Sequence, residues 1–91
     1  MALSKEEAVE RARKDLARRL NISPDEVKAD SVEEASFPDA ALGAPIEEEM
    51  SAQMITNGWR IRLSAREEGY EYRAGRDELR LYNFKGSNHR V

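Results

Sequence analysis

The sequence predicts an α+β domain in which an N-terminal helix packs on one face of a three- to four-stranded antiparallel sheet. Near the N-terminus, apolar residues recur every three or four positions, as on one side of a helix. From Trp59 onward they alternate with polar residues, as in strands that bury one face. The 91 residues leave no room for two independent cores. We therefore expect one domain over residues 1–85 and a flexible C-terminal tail over residues 86–91, which carry no pattern.

The first predicted element is a helix that begins at Ser4, where Glu7 follows three residues later and completes a capping box. Asn21 suits the left-handed position that ends a helix. Asp15 and Arg19 lie four residues apart, and we expect them to pair on the exposed side of the helix. The predicted buried stripe comprises Val9, Ala12, Leu16 and Leu20.

A second start signal follows at Ser23, with proline next and glutamate three residues after the serine. So few residues remain before the chain turns extended that this signal predicts a single helical turn. A strand is predicted from about Lys28 to Phe37. Because Val32 and Phe37 cannot share a face in a regular strand, we expect a bulge near residues 33–34.

The C-terminal third is predicted to form a meander of strands. Trp59 leads the clearest alternation, in phase with Ile61 and Leu63, and is expected to anchor the core. Tyrosines and leucines continue the alternation in two further strands, separated by turns at residues 67–69 and 75–77. The helix should cover one face of this sheet, and the other face should be open to water.

Between these regions lies an irregular segment, residues 38–51, with two prolines and three consecutive glutamates. Two interpretations stay open, a long ordered loop or a short helix that begins at Pro45. Its apolar residues are too numerous for a loop that only spans water, so we expect side-chain packing to order it. The candidate functional loop consists of Asp39, Leu42, Gly43, Pro45, Glu47 and Glu48.

The polar side of the predicted sheet carries arginines beside aromatic residues. Such a surface suits an acidic peptide or single-stranded nucleic acid. The alternative is a salt-bridged outer face, with Glu71 between arginines of neighbouring strands. Glu71 alone cannot balance four guanidinium groups, so either the acidic segment at residues 25–49 or an anionic partner should cover them. The candidate binding face consists of Arg60, Arg62, Arg73, Arg80 and Tyr82.

Composition excludes several classes of function. The chain has no cysteine, which excludes disulfides, thiolate zinc sites and cysteine nucleophiles. The single histidine, His89, lies in the predicted tail without partners, so we expect neither a metal nor a cofactor. The net charge of −3 disfavours a nucleic-acid partner. No stretch has the pattern of a signal peptide or a membrane span, which predicts a cytoplasmic protein unless a leader has been removed.

Five short stretches follow one another in a specific order: Phe37-Pro38-Asp39, Leu42-Gly43-Ala44-Pro45, Ala52-Gln53, Gly58-Trp59-Arg60-Ile61 and Tyr70-Glu71-Tyr72-Arg73. This order resembles that of an uncharacterised family of small bacterial domains. Phe37, Ala44 and Ser51 stand where that family has tryptophan, cysteine and tyrosine. The resemblance implies the predicted fold and assigns no activity.

Three hypotheses on function follow. The first is a non-enzymatic binding or regulatory module that binds a protein or acidic peptide through the 38–51 loop or the arginine-rich face. The second is a protease-inhibitor-like protein, because a proline-flanked loop braced by a sheet has the shape of an inhibitor loop. The third, which we disfavour, is a small enzyme, since no acid–base pair or nucleophile setting is visible.

Overall fold

The computed structural model describes residues 4–37, 42, 44, 55–75 and 78–91. One helix is followed by a short 3-10 turn and a five-stranded antiparallel sheet, with the strands in chain order. The helix packs against the sheet, so the predicted α+β class is confirmed. The elements are α1 (Lys5–Leu20), the 3-10 turn (Pro24–Glu26), β1 (Lys28–Phe37), β2 (Thr56–Ala65), β3 (Glu68–Gly75), β4 (Glu78–Phe84) and β5 (Ser87–Arg90).

The sheet has one strand more than predicted, because the C-terminal residues extend it. β5 pairs with β4 after the two-residue turn Lys85-Gly86, whose φ angles of 52° and 85° are both left-handed. The prediction of a patternless, frayed tail was wrong for residues 87–90. An edge strand need not bury a full apolar face, so its alternation is weak in the sequence.

Local signals set the ends of α1 as predicted. The Ser4 hydroxyl accepts a hydrogen bond from the Glu7 N–H at 3.1 Å. Asn21 adopts φ 58°, and its backbone N–H donates to the last turn of the helix. The predicted single turn after Ser23 is present with its complete capping box. The predicted ion pair between Asp15 and Arg19 is confirmed, at 2.6 Å. Its predicted location on the exposed side of the helix is wrong, because Asp15 is buried.

The main core lies between α1 and the face of the sheet that we call the inner face. Small residues on the helix, Ala8 and Ala12, allow its backbone to approach the strands closely around Leu16. Trp59 is only half-buried at the margin of this core, so it supports the core without anchoring its centre. The fully buried sheet residues on the inner face include Ile61, Leu63, Tyr72, Ala74 and Leu81.

Two irregularities differ from their predicted positions. The register of β1 shifts between Ala29 and Ser31, so the bulge lies at Asp30 and not near residues 33–34. Val32 faces the inner core, whereas Phe37, five residues on in regular register, points to the opposite face. The turn between β2 and β3 occupies residues 66–67, one residue earlier than predicted.

Candidate functional site

The predicted arginine-rich face is real and lies on the side of the sheet away from α1, which we call the outer face. Arg60, Arg73 and Arg80 are aligned across three neighbouring strands. One pleat further along, Arg62 lies opposite Glu71. The outer face therefore presents the arginines as two adjacent cross-strand rows, as the alternation predicted.

Glu71 lies at the centre of these charges. Its carboxylate accepts a hydrogen bond from Arg73 Nε at 2.9 Å. The Nε atoms of Arg60 and Arg62 are farther away, at 3.5 Å and 3.9 Å. One carboxylate is thus shared by three guanidinium groups, and it holds the nearest one much more tightly than the other two.

Arg80 is buried, although the alternation placed it on an open face. Only 2% of it is exposed, and its Nε donates to Glu78 at 2.7 Å. Its Nη1 donates to the backbone carbonyl of Ala44 at 3.1 Å. Arg73 donates in the same way to the carbonyl of Leu42, also at 3.1 Å. Two arginines therefore hold the backbone carbonyls of Leu42 and Ala44 against the sheet.

This contact overturns the prediction that the whole outer face is open to water. Leu42 and Ala44 are fully buried, and Phe37 and Thr56 are nearly so. The polar side of the sheet therefore carries a second, smaller core at one end. Leu42 is buried, as expected, but most of the 38–51 segment lies outside the described residues, so the expectation that side-chain packing orders it stays a prediction.

A glycine makes room for this second core. A Cβ atom at Gly75 would lie 2.7 Å from Leu42 Cδ2 and 3.0 Å from Thr56 Cγ2. Leu42 itself has φ 58°, a left-handed conformation that is uncommon for a bulky residue. Its buried side chain and its bond from Arg73 hold it there, so strain is retained at the point where the segment meets the sheet.

Aromatic rings fix the orientation of Arg73. The centre of its guanidinium group lies 3.8 Å from the centroid of the Tyr82 ring and 5.6 Å from that of Phe37. Stacking on Tyr82 stabilises the cation and uses the face of the ring. Tyr82 therefore contributes to the anchoring of Arg73 and offers no free aromatic platform for a ligand at that face.

The other end of the outer face stays open. The side chain of Arg62 is 58% exposed and that of Arg60 is 34% exposed. Beside Arg62 lies a shallow depression of about 500 Å³, lined by Ser31, Gly69 and Glu71 among others. Apart from Gly69 and its two chain neighbours, no atom of the described residues lies within 4 Å of the position that a Gly69 Cβ would take, so a ligand can approach.

Most of the candidate functional loop lies outside the described residues. Asp39, Gly43, Pro45, Glu47 and Glu48 belong to this part, and so do Ile46 and Met50, so the choice between loop and helix stays open. Leu42 is described and is buried with Ala44. Neither side chain is therefore available to enter a protease pocket, which removes these two positions from the inhibitor hypothesis.

Sequence reasoning missed a buried polar cluster on the inner face. Asp15 is 4% exposed and accepts a hydrogen bond from the Tyr72 hydroxyl at 2.8 Å. It also pairs with Arg18 and Arg19, at 2.7 Å and 2.6 Å. Burial, and next the bond to Asp15, raises the pKa of Tyr72 far above its ordinary value. One signal in the sequence could have indicated this burial: Asp15 lies on the same side of the helix as Ala12 and Leu16, which belong to the predicted buried stripe.

In the part of the chain that the structure describes, no three His, Cys, Asp or Glu side chains are grouped so that they could hold a metal ion. The helix of the described chain lacks the length and apolar character needed to cross a membrane.

Comparison with known protein families identifies the family of this chain. A family model described as Domain of unknown function (DUF8738) matches residues 9–82. The chain belongs to this family. The match begins within α1 and ends in β4, so it includes the whole arginine face. The expectation that the chain belongs to an uncharacterised family of small domains is confirmed. No curated protein and no solved structure matches the chain.

Proposed function

We propose that this member of the family is a non-enzymatic binding module that recognises an extended acidic peptide segment. The contact surface is the open end of the outer face, formed by Arg60 and Arg62 with Glu71 between the strands, and we call it the arginine patch. The observation that carries the proposal is the sharing of one carboxylate by three guanidinium groups, two of them held only loosely.

Charge supports an anionic ligand. Glu71 is engaged most closely by Arg73, so it neutralises the two outer arginines incompletely. Both of these retain exposed side-chain surface and can turn toward a ligand without breaking the core. A bound carboxylate would replace a long contact with a short charge-assisted hydrogen bond, which is the stronger interaction.

Spacing supports an extended ligand. Arg60 and Arg62 lie two residues apart on β2, which separates their Cα atoms by about 6.6 to 7 Å. Acidic side chains at alternate positions of an extended peptide repeat at the same distance. The depression beside Arg62 leaves room for the backbone of such a peptide.

The rigid end of the face supports a binding role. Arg73 and Arg80, on the two strands next to the patch, have side chains that are already fixed by their carbonyl contacts. A surface whose supporting residues are already ordered loses little conformational entropy on binding. The bacterial origin and cytoplasmic location expected from the sequence remain part of this proposal.

The test uses a short blocked peptide that alternates glutamate and valine, labelled for fluorescence anisotropy. We expect saturable binding to the wild-type protein that weakens as salt is raised toward physiological ionic strength. Replacing both patch arginines, Arg60→Gln with Arg62→Gln, should weaken it by about tenfold or more. A peptide that alternates lysine and valine should not bind the patch.

A matched control removes two positive charges elsewhere. Arg11 and Lys14 are exposed on α1, so Arg11→Gln with Lys14→Gln changes the net charge equally while leaving the patch intact. Equal loss of affinity in both double variants would refute the patch, since it would show a general charge effect. Unfolding of the patch variant would show that the arginines are structural, and the proposal would fail.

A further inference from the structure

Among the described residues, the longer of the two edge strands of the sheet is β1, which forms one end of the strand order. It spans ten residues and pairs only with β2 within the described chain. All but one of its residues retain some solvent exposure, Phe37 being the exception. Beyond the bulge at Asp30, Ser31–Phe37 runs in regular register, so its outward backbone groups form a continuous template for another strand.

The charge of this edge is acidic. Asp30, Glu33 and Glu34 are exposed on β1, against a single cation at Lys28. Glu33 and Glu34 are adjacent, so they project to opposite faces of the sheet. Strand pairing with a second copy of β1 would bring two acidic edges together, which is unfavourable for like charges. The edge therefore favours a basic partner over a copy of itself.

A groove adjoins the same edge. It measures about 520 Å³ and is lined by Glu34, Ser36, Asn57 and Trp59 among others. Glu34 lies directly opposite Trp59 across the strand pair, and both project to the inner face. Glu34 makes no ion pair or hydrogen bond within the described chain, whereas Ser36 and Asn57 bond each other at 2.8 Å.

We propose that β1 binds an extended basic peptide segment by strand addition, with a lysine or arginine side chain of the peptide seated between Glu34 and Trp59. The backbone of Ser31–Phe37 supplies the hydrogen bonds, as in other peptide recognition by edge strands. Glu34 supplies the countercharge. The half-buried indole of Trp59 supplies a ring face for the cation.

This surface is separate from the arginine patch. The patch lies on the outer face, whereas the groove lies on the inner face, where residues of β1 and β2 line it. The two sites have opposite charge and select different peptides. Loss of one therefore leaves the other testable in the same protein.

Trp59 is the only tryptophan of the chain and reports directly on the groove. The probe is a short blocked peptide that alternates lysine and valine, titrated while tryptophan emission is recorded. We expect a saturable change in emission that a glutamate–valine peptide of equal length does not produce. Backbone N-methylation of the lysine peptide at alternate residues should abolish binding if strand addition supplies the contact.

The decisive variant is Glu34→Gln, which should weaken binding by about tenfold while the unfolding midpoint stays unchanged. Glu6→Gln removes one negative charge from an exposed position on α1 and should bind as the wild type does. Arg60→Gln with Arg62→Gln should also leave this affinity intact. Equal binding of Glu34→Gln and wild type, or of the N-methylated peptide, would overturn the proposal. So would a concentration-dependent dimer that blocks the site, since a second copy would then be its occupant.

Discussion

The two faces of this sheet bury side chains by different means. On the inner face, a helix covers the strands with small apolar residues, and the buried carboxylate of Asp15 accepts a hydrogen bond from the buried Tyr72 hydroxyl. On the outer face, the chain around Leu42 and Ala44 covers only one end. It is held there by guanidinium groups that donate to backbone carbonyls.

This difference teaches how a polar face can be partly closed without becoming apolar. A buried arginine is tolerated when a carboxylate and a backbone carbonyl satisfy its donors, as Glu78 and Ala44 do for Arg80. The long apolar stems of such side chains also cover the strands beneath them. The inner face should therefore depend on the volume of its side chains, and the closed end of the outer face on hydrogen-bond geometry.

The largest expected effect tests the inner face by volume alone. Ile61→Ala removes three carbon atoms from a fully buried position and should lower the free energy of unfolding by about 3 to 4 kcal/mol. The next residue, Arg62, lies on the other face and has an exposed side chain. Arg62→Ala should therefore change the free energy of unfolding by about 0.5 kcal/mol or less. Urea unfolding of the two variants measures the contrast. Similar losses in both would show that the two faces do not differ in this way.

The second prediction concerns the buried hydrogen bonds of the outer face. Arg80→Met keeps much of the side-chain volume but leaves the Ala44 carbonyl without this donor, and should cost about 2 kcal/mol. Arg80→Lys keeps the positive charge but loses the planar guanidinium group with its several donors. Its free energy of unfolding should therefore lie between those of Arg80→Met and the wild type. Chemical denaturation gives the order. Full stability of the methionine variant would show that the arginine acts only by filling space.

The two faces also differ in how far the sequence predicts them. The alternation of Ile61 and Leu63 predicted the inner face, because burial on one side imposes a period of two. The same alternation placed Arg80 on an open face, where it is 2% exposed. A contact with Ala44, 36 positions away in the sequence, leaves no local signal. Pattern therefore predicts which residues share a face, but does not reveal what covers them.

Asp15 shows the same limit on the helix. Its spacing from Arg19 predicted an exposed ion pair, and the pair exists. The hydroxyl of Tyr72, 57 residues away, binds the same carboxylate within the core. A charged residue in phase with an apolar stripe has two consistent interpretations, and only the position of the partner strand decides between them.

The third prediction uses this cluster as a pH probe of the inner face. Tyr72→Phe removes the hydroxyl that Asp15 accepts from and should cost about 1 to 2 kcal/mol near neutral pH. In the wild type, the raised pKa of Tyr72 means that the folded protein keeps a proton which the unfolded chain loses above about pH 10. Wild-type stability should therefore fall as the pH rises above that value.

The control for this prediction is the slope of stability against pH. In Tyr72→Phe the alkaline decline should be shallower than in the wild type, since the titrating group is absent. Tyr82→Phe provides a matched change on the outer face, and should leave the decline caused by Tyr72 intact. Equal slopes in the wild type and Tyr72→Phe would mean that the buried hydroxyl does not control alkaline stability.

The last prediction concerns a turn that belongs to neither face, so its effect on stability should be the same for both. The β2–β3 turn places Arg66 and Glu67 at φ 50° and 67°, left-handed values that asparagine and glycine adopt more readily in two-residue hairpin turns. Arg66→Asn with Glu67→Gly should therefore raise the free energy of unfolding by about 1 kcal/mol. Because the turn contributes no side chain to either core, hydrogen exchange should slow to the same extent at Ile61 and at Arg80, provided that both amides exchange through global unfolding. A gain confined to one of these strands would show that β2 and β4 unfold separately, and the stability losses predicted above would then have to be measured for each strand by itself.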